Sequence, residues 1–414
     1  METLPNFTTD AISNQGVNLS LLVLQGSPFC NIDCQYCYLP NRSDNRRMPM
    51  HVLEKAMERV TEAGLVNAPF EVLWHAGEPL AVPVSYYEKA IEVINRFPQA
   101  RDQASFVFQT NAMLLNDQWC DFFKAHRVNV GVSLDGPADV HDAHRVTRKG
   151  KGTHAEAMKG VEVLKRNGIS FGVISVVSES SLNRVDDIFD FFLNLGAGGI
   201  AFNIEEVEGA NCTTSLSAAG SEQRVREFFS RFYQLNREHG FPLRVREFSD
   251  ARNRYLSNES FWNNETQPFS MINVDCDGNF STFSPEMLGQ SADEYGSFNF
   301  GNVMTDAIFD AKDNPVFQKV VSDIEAGNSR CAQTCRYYRY CCGASPTNKY
   351  FENKTFDSTE TMHCRAVIQA PLDIVRLDIE ENGIWSQPID TLQEGTPTPL
   401  PDSIETNLTD SNIT

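Results

Sequence analysis

The sequence predicts an α/β fold: a parallel sheet with helical crossovers, followed by a smaller cysteine-rich domain. Two patterns carry this reading. From residue 19 to about 205, short apolar runs alternate with longer segments of helical periodicity. After about residue 240 the alternation stops, and cysteines gather between Cys331 and Cys364. A chain of 414 residues has room for one large domain or two smaller ones.

Leu21–Gln25 reads as the first strand and His51–Ala63 as the first helix. Phe70–Trp74 and Val84–Phe97 repeat the pair, followed by Ser105–Gln109 with Asp117–His126. Val128–Leu134 with Thr153–Asn167 and Phe171–Val177 with Leu182–Leu195 continue it. Gly199–Asn203 is the sixth strand expected, and Ser221–His239 is a further helix. Repeated strand–helix units imply parallel strands joined by right-handed crossovers. Six strands stop short of an eight-stranded barrel, so the pattern allows a partial barrel or an open doubly wound sheet. In both, reactive groups belong on loops at the carboxyl ends of the strands. Farther on, Ser270–Ser284 reads as two short strands around the turn Asp277–Gly278–Asn279. The expected organisation is an extension at 1–17, a core at 18–240, a second domain at 265–375 and a disordered acidic tail at 386–414. That tail is rich in Pro, Thr, Ser and Asp and contains no Lys or Arg.

The formal net charge of −20 argues against nonspecific binding to nucleic acid or to anionic lipid. No apolar stretch approaches the length of a membrane span. The first residues, METLPNFTTDAISNQG, have neither the basic nor the apolar region of a secretory signal. The expectation is a cytoplasmic protein whose cysteines stay reduced and free for metal.

Cys30, Cys34 and Cys37 lie just after the first strand, in SPFCNIDCQYCYLP. Three thiolates this close, with no nearby fourth, can hold three irons of a 4Fe-4S cube and leave one iron open for chemistry. A structural zinc site, the alternative, usually takes four ligands.

This C-x3-C-x2-C run, with Tyr36 as the aromatic before the third cysteine, resembles the signature of the radical S-adenosylmethionine (SAM) superfamily. Three later segments match in order, each after a strand. Trp74-His75-Ala76-Gly77-Glu78-Pro79 is similar to the family's GGEP segment, and Gln109-Thr110-Asn111-Ala112 to its QTNG segment. Ser133-Leu134-Asp135-Gly136-Pro137, followed by His141 and Arg145, is similar to its SLDGP segment. The resemblance implies a partial (β/α)6 TIM-type barrel that binds a 4Fe-4S cluster with SAM. It implies that the Gly77-Glu78-Pro79 segment meets the SAM amino group, and that Ser133 and Arg145 meet its ribose and carboxylate. Tyr36, Gln109 and Asn111 join the same cofactor set. Alanines stand where the family has glycines at 76 and 112; alanine takes positive φ reluctantly, so close approach rather than a left-handed turn is expected there.

The second cysteine set is Cys331-x3-Cys335-x5-Cys341, with Cys342 adjacent and Cys364 beyond. Spacing alone allows a zinc knuckle. The segment also resembles the SPASM (twitch-like) domain that follows the barrel in many peptide-modifying radical SAM enzymes. That resemblance implies one auxiliary 4Fe-4S cluster on Cys331, Cys335, Cys341 and Cys364. Cys276 lacks a partner at the usual spacing, and Ser345 stands where another cysteine would be.

The stretches Gly278–Glu286, Asn348–Asn353, Phe356–Thr361 and Cys37–Arg42 resemble one subgroup, the cyclophane-forming maturases of glycine-rich-repeat precursor peptides. The implied substrate is a ribosomally made precursor peptide, and the implied reductant is a donor such as flavodoxin or ferredoxin. The implied reaction starts with hydrogen abstraction from a β carbon by the 5'-deoxyadenosyl radical. Attack on a nearby aromatic ring then gives a carbon–carbon crosslink after loss of one electron and one proton. Asp135, Glu205 and Glu206, after their strands, are the expected candidates for the general base. Two alternatives are an anaerobic sulfatase-maturase-like enzyme that makes formylglycine, and a zinc-stabilised binding module without catalysis.

Overall fold

Six parallel strands follow one another across the sheet in chain order. They are β1 (Leu21–Leu24), β2 (Phe70–Trp74), β3 (Ala104–Thr110), β4 (Asn129–Ser133), β5 (Phe171–Val177) and β6 (Gly199–Ile204). The computed structural model describes residues 16–257, 261 and 263–383. The expected tail at 386–414 and nearly all of the extension at 1–17 lie outside the described residues. Crossover helices α1 (Met50–Glu62), α2 (Val84–Ile94), α4 (Asp117–His126), α6 (His154–Arg166) and α7 (Val185–Leu195) link the strands. Short α3 (Pro98–Gln103) and α5 (Ala138–Asp142) lie between them, and α8 (Ser221–Glu238) and α9 (Arg246–Leu256) follow β6.

The boundaries moved for identifiable reasons. The helix expected over Val84–Phe97 stops at Ile94, because Pro98 bars the preceding residue from helical geometry and starts α3. The helix expected from Leu182 starts at Val185, after a turn in which Arg184 N–H bonds Ser181 C=O. α9 was not foreseen; its mean hydropathy is low, and burial of Phe248 and Ala251 holds it in place.

Alternation along β5 (FGVISVV) puts every second residue in the buried layer, as expected for a strand between helices and a barrel interior. Trp74, Tyr87 and Phe108 pack edge-to-face on one side, with Trp74–Tyr87 centroids 4.9 Å apart and Tyr87–Phe108 4.8 Å apart. Phe202, Phe228 and Phe232 do the same at the other end of the sheet.

The sheet continues past the cysteine loop. β7 (Met271–Val274) pairs in parallel with β1, Leu24 opposite Val274, and turns at Asp277–Gly278 into antiparallel β8 (Asn279–Thr282). Together with β11 (Gly301–Asn302) the order is β11-β8-β7-β1-β2-β3-β4-β5-β6. β9 (Ser291–Ala292) and β10 (Gly296–Ser297) form a separate ribbon. The cysteine-rich part is built from α10 (Pro315–Thr334), α11 (Tyr338–Cys341) and α12 (Pro346–Asn353). α13 (Ala370–Asn382) then returns to the core, where Tyr233 donates to Asp378 at 2.8 Å. Among the described residues no helix is long and apolar enough to cross a membrane.

Candidate active site

The loop after β1 carries the first three thiols. Cys30 N–H donates to Arg42 C=O at 3.0 Å, Arg42 Nη1 donates to Cys34 C=O at 3.0 Å, and Arg148 Nη2 donates to Cys30 C=O at 2.8 Å. Burial pushes the Cys30 thiol up to about 12 and the Cys34 thiol up to about 11. A bound cation reverses that penalty and draws both into the thiolate form.

Glu78 sits behind this loop, 2% exposed. Its carboxylate accepts from Leu80 N–H at 2.9 Å, Thr110 Oγ1 at 2.6 Å and Asn111 N–H at 2.9 Å. It therefore clamps the β2 loop to the β3 loop, and most of its acceptor capacity is used within the protein. Glu78 N–H donates to Phe29 C=O at 2.7 Å, which joins the clamp to the cysteine loop. Gly77 has φ +146°, and a Cβ there would lie 2.1 Å from Ser27 C=O, so only glycine fits. Ala76 and Ala112 take φ 64° and 65°, against the expectation of close approach alone. Both hold the left-handed geometry that glycine adopts more easily, at a cost of about 1–2 kcal/mol each.

Inside the sheet, Gln109 Nε2 donates to Ser133 Oγ at 2.9 Å. Gly131 makes room for it: a Cβ there would meet Gln109 Oε1 at 2.0 Å. Asn111 Nδ2 lies 3.9 Å from Cys30 Sγ. Arg145 Nη1 lies 3.9 Å from Cys34 Sγ, while its Nε and Nη2 bond both oxygens of Asp135. Asp135 also accepts from Tyr36 Oη and from Val176 N–H.

Cys331, Cys335, Cys341 and Cys364 line one cavity, together with Tyr337 and Gly343. Cys342 turns away and donates to Phe261 C=O at 3.0 Å. Buried Lys349 lends positive charge to Cys331. Ser345 Oγ caps α12, accepting from Asn348 N–H at 3.4 Å, so its hydroxyl has a structural task. Cys276 lies apart, with Arg46 and Asp277 as charged neighbours. Among the described residues no three His, Cys, Asp or Glu side chains converge on a single-ion site. The four thiols surround a space instead, an arrangement that fits a multi-iron cluster.

Residues 24–192 match the radical SAM superfamily. The uncharacterised protein sll1766 of Synechocystis sp. is 39% identical over 368 residues, covering 88% of this chain and 92% of that protein. The chain belongs to the radical SAM superfamily.

The serine-type anaerobic sulfatase-maturating enzyme of Bacteroides thetaiotaomicron is 32% identical over 189 residues. That match covers 44% of this chain and about half of the maturase, 45%. The fold is shared with anSMEcpe bound to AdoMet and the Cp18Cys peptide, at TM-score 0.72 and 19% identity, over 88% of this chain and 98% of that one. It is shared more loosely with Streptococcus suis SuiB bound to precursor peptide SuiA, at TM-score 0.59 and 14% identity, over 83% and 76%.

In this radical SAM fold, several buried polar atoms beside the cysteine loop have no partner among the described residues. They include the Tyr38 hydroxyl and His75 Nδ1, on rings 6.2 Å apart, and His144 Nδ1, whose ring lies 5.6 Å from that of Tyr36. Native proteins rarely leave such atoms unpaired, so they mark a place for a bound group. Thiols, orphaned polar atoms and the Arg145 guanidinium together fit a 4Fe-4S cluster with SAM.

The expected general bases fare unequally. Asp135 is committed to Arg145, Tyr36 and Val176. Burial alone would raise it, but Arg145 overrides burial and holds it below its ordinary value. It is a counter-ion, which corrects its expected role. Glu205 accepts from Ser215 N–H and Oγ and turns toward that loop. Glu206 faces the second domain: it accepts from His363 Nδ1 and from Asn348 Nδ2, the latter at 3.0 Å. Burial opposes its ionisation, yet His363 holds it below its ordinary value.

Glu208, Glu286, Asn348 and His363 were missed in the sequence. Asn348 donates to both Glu206 and Glu208 at 3.0 Å, and Glu208 is also hydrogen-bonded to Glu206. The visible signal was weak: an acidic EEVE after a strand, and a histidine just before Cys364.

Proposed function

We propose that this chain is a peptide-modifying radical SAM enzyme that installs a carbon–carbon (cyclophane) crosslink in a ribosomally made precursor peptide. The crosslink joins an aromatic side chain to a β carbon. One observation carries the reading: buried carboxyls bridge the two thiol sites. Glu208 lies near Tyr38, which follows Cys37, and Glu206 meets His363, which precedes Cys364. A crosslink that must shed a proton and an electron together needs a proton acceptor and an electron acceptor side by side.

Cys30, Cys34 and Cys37 would hold the cluster that binds SAM, and Cys331, Cys335, Cys341 and Cys364 the auxiliary cluster. Bound there, these groups supply a 5'-deoxyadenosyl radical and an electron acceptor. The chain's residues do the rest. Glu78 ties the loops after β1, β2 and β3 into one frame, and Gly77 lets the backbone close on it. Arg145, fixed by Asp135, presents its remaining Nη1 donor toward the cysteine loop for a carboxylate. Ser133, held by Gln109, is set for a ribose hydroxyl. Immobile donors lower the cost of orienting the reactants. We place the catalytic core at 18–240 and the auxiliary-cluster domain at 265–375. The partners are the precursor peptide and a low-potential donor such as flavodoxin or ferredoxin.

Anaerobic co-expression with a small glycine-rich-repeat peptide encoded beside the enzyme tests the reading. The expected product is about two hydrogens lighter, with a crosslink that survives fragmentation. An unchanged peptide, with SAM still cleaved, counts against it. A second reading, formylglycine formation, draws on the 32% identity to the serine-type maturase. A sulfatase-motif peptide offered to the same preparation separates the two. A non-catalytic zinc module predicts a colourless protein, whereas the cluster reading predicts a brown one with about eight irons.

A further inference from the structure

Asp135, Glu205, Glu206, Glu208 and Glu286 are among the carboxyls on the loops between the two thiol sites or beside the SAM pocket, and they differ in their hydrogen bonds. Asp135 is filled by Arg145, Tyr36 and Val176. Glu205 is bound on one oxygen by Ser215, at the loop's outer side. Glu206 is taken by His363, Asn348 and Glu208. Glu208 shares Asn348 and is hydrogen-bonded to Glu206. Glu286, just after β8, accepts from Ser284 Oγ and from its own backbone N–H, so its donors are all local.

A second observation marks the same place. The Tyr38 hydroxyl is shut off from solvent and has no partner, and Glu286 is its foremost charged neighbour, ahead of Glu208. Tyr38 is also pinned: Ala210 N–H donates to its carbonyl at 2.8 Å, and Gly209 allows that approach, since a Cβ there would lie 2.5 Å from the same oxygen. A carboxyl with only local donors and an unpaired hydroxyl are thus neighbours beside the cysteine loop.

We propose that Glu286 is the catalytic base that takes the ring proton in crosslink formation. This rests on the cyclophane reading. After the β-carbon radical bonds to an aromatic carbon, the C–H bond at that carbon breaks. Its proton passes to the Glu286 carboxylate, one electron leaves to an oxidised 4Fe-4S cluster at Cys331, Cys335, Cys341 and Cys364, and aromaticity returns. The surroundings suit that task. Burial is the main reason the Glu286 carboxyl is raised to about 7; Ser284 opposes the rise, and Glu206 and Glu265 add to it. Bases work best with such a pKa near the working pH. Glu208 is raised well above its ordinary value by burial and by Glu206, which disfavours its ionised form. The titratable groups facing Glu286 are Glu206, Glu208, Glu265 and Tyr38, with His363 behind Glu206.

The test compares wild type, Glu286→Gln and Glu286→Asp, as cluster-loaded full chains, with the glycine-rich-repeat peptide. Glu286→Gln should lower crosslink formation by about 100-fold or more while SAM cleavage continues, so 5'-deoxyadenosine per crosslink rises. Wild-type crosslinking should rise with pH through about 7, and that limb should vanish in Glu286→Gln. Glu286→Asp should keep the limb at reduced rate. Infrared titration of the purified proteins reads the same carboxyl without turnover: the carboxyl signal titrating near 7, to which Glu78 also contributes, should be smaller in Glu286→Gln than in wild type. An unchanged ratio and pH profile, a raised KM with unchanged kcat, or a carboxyl signal near 7 as large as that of wild type overturns the assignment alone. A wild type that leaves the peptide unlinked overturns the cyclophane reading and the assignment with it.

Discussion

Asp135 grips Arg145 at two points, Nε to Oδ2 at 2.9 Å and Nη2 to Oδ1 at 3.0 Å, with both side chains buried. The pair stands next to Cys34 and under the Tyr36 ring, whose centroid is 5.4 Å from the guanidinium carbon. Taken from water, each charge is tolerable only because the other is present.

Asp135→Asn should therefore destabilise the chain by about 3–5 kcal/mol, because it leaves a buried guanidinium uncompensated. Urea unfolding of the metal-free protein measures this. Asp135 is held below its ordinary value, so its contribution is present above that value and fades as pH falls. The gap between wild type and Asp135→Asn should narrow in acid.

The Cys341–Cys342 pair separates by direction. Cys341 lines the thiol cavity, and Cys342 bonds to Phe261 C=O. Cys341→Ala should lose about half of the iron after anaerobic loading, and Cys342→Ala should keep nearly all of it. Iron and sulfide analysis decides between them; equal losses would sink the assignment.

α6 touches the β3 loop at one point. A Cβ on Gly160 would lie 1.9 Å from Ala112 C=O. Gly160→Ala should cost about 1–3 kcal/mol from overpacking. Ala112→Gly should be neutral to within about 1 kcal/mol, since relief of positive φ offsets the lost methyl burial. Ala112→Val should be far worse, because a branched side chain resists that φ. Thermal melts of the three variants make the comparison.

Glu78 is pushed up to about 7 by burial, against the bonds from Asn111, Thr110 and Leu80. A carboxyl raised on folding favours the folded state fully below its unfolded value, and that share is lost as pH rises through the folded value. Wild-type stability should thus fall between about pH 4.5 and 7 by about 1–3 kcal/mol more than that of Glu78→Gln. Denaturant midpoints at pH 5 and pH 8 give both differences; parallel slopes would count against this view.

Much of the core was legible because strand periodicity and turn residues are local. Phe70–Trp74 and Phe171–Val177 lie where their apolar runs put them. The attachment of β7 beside β1 was not legible, since a parallel pairing across 250 positions leaves no local trace; Ser20 Oγ reaches Ser270 C=O at 2.8 Å over that separation. Ala76 and Ala112 misled for a related reason: residue type states a preference for φ, and the surrounding loops impose the value.

By itself the sequence determined which thiols lie close together along the chain and which segments follow the strands. Ligand type and short spacing are properties of neighbouring residues, so one dimension contains them. The tertiary structure alone decided the fate of the carboxyls. It bound Asp135 to Arg145, joined Glu206 to His363 across 157 positions and left Glu286 beside Tyr38 with only local donors. A carboxyl's availability depends on the donors that reach it and the water kept from it, and both are set by folding.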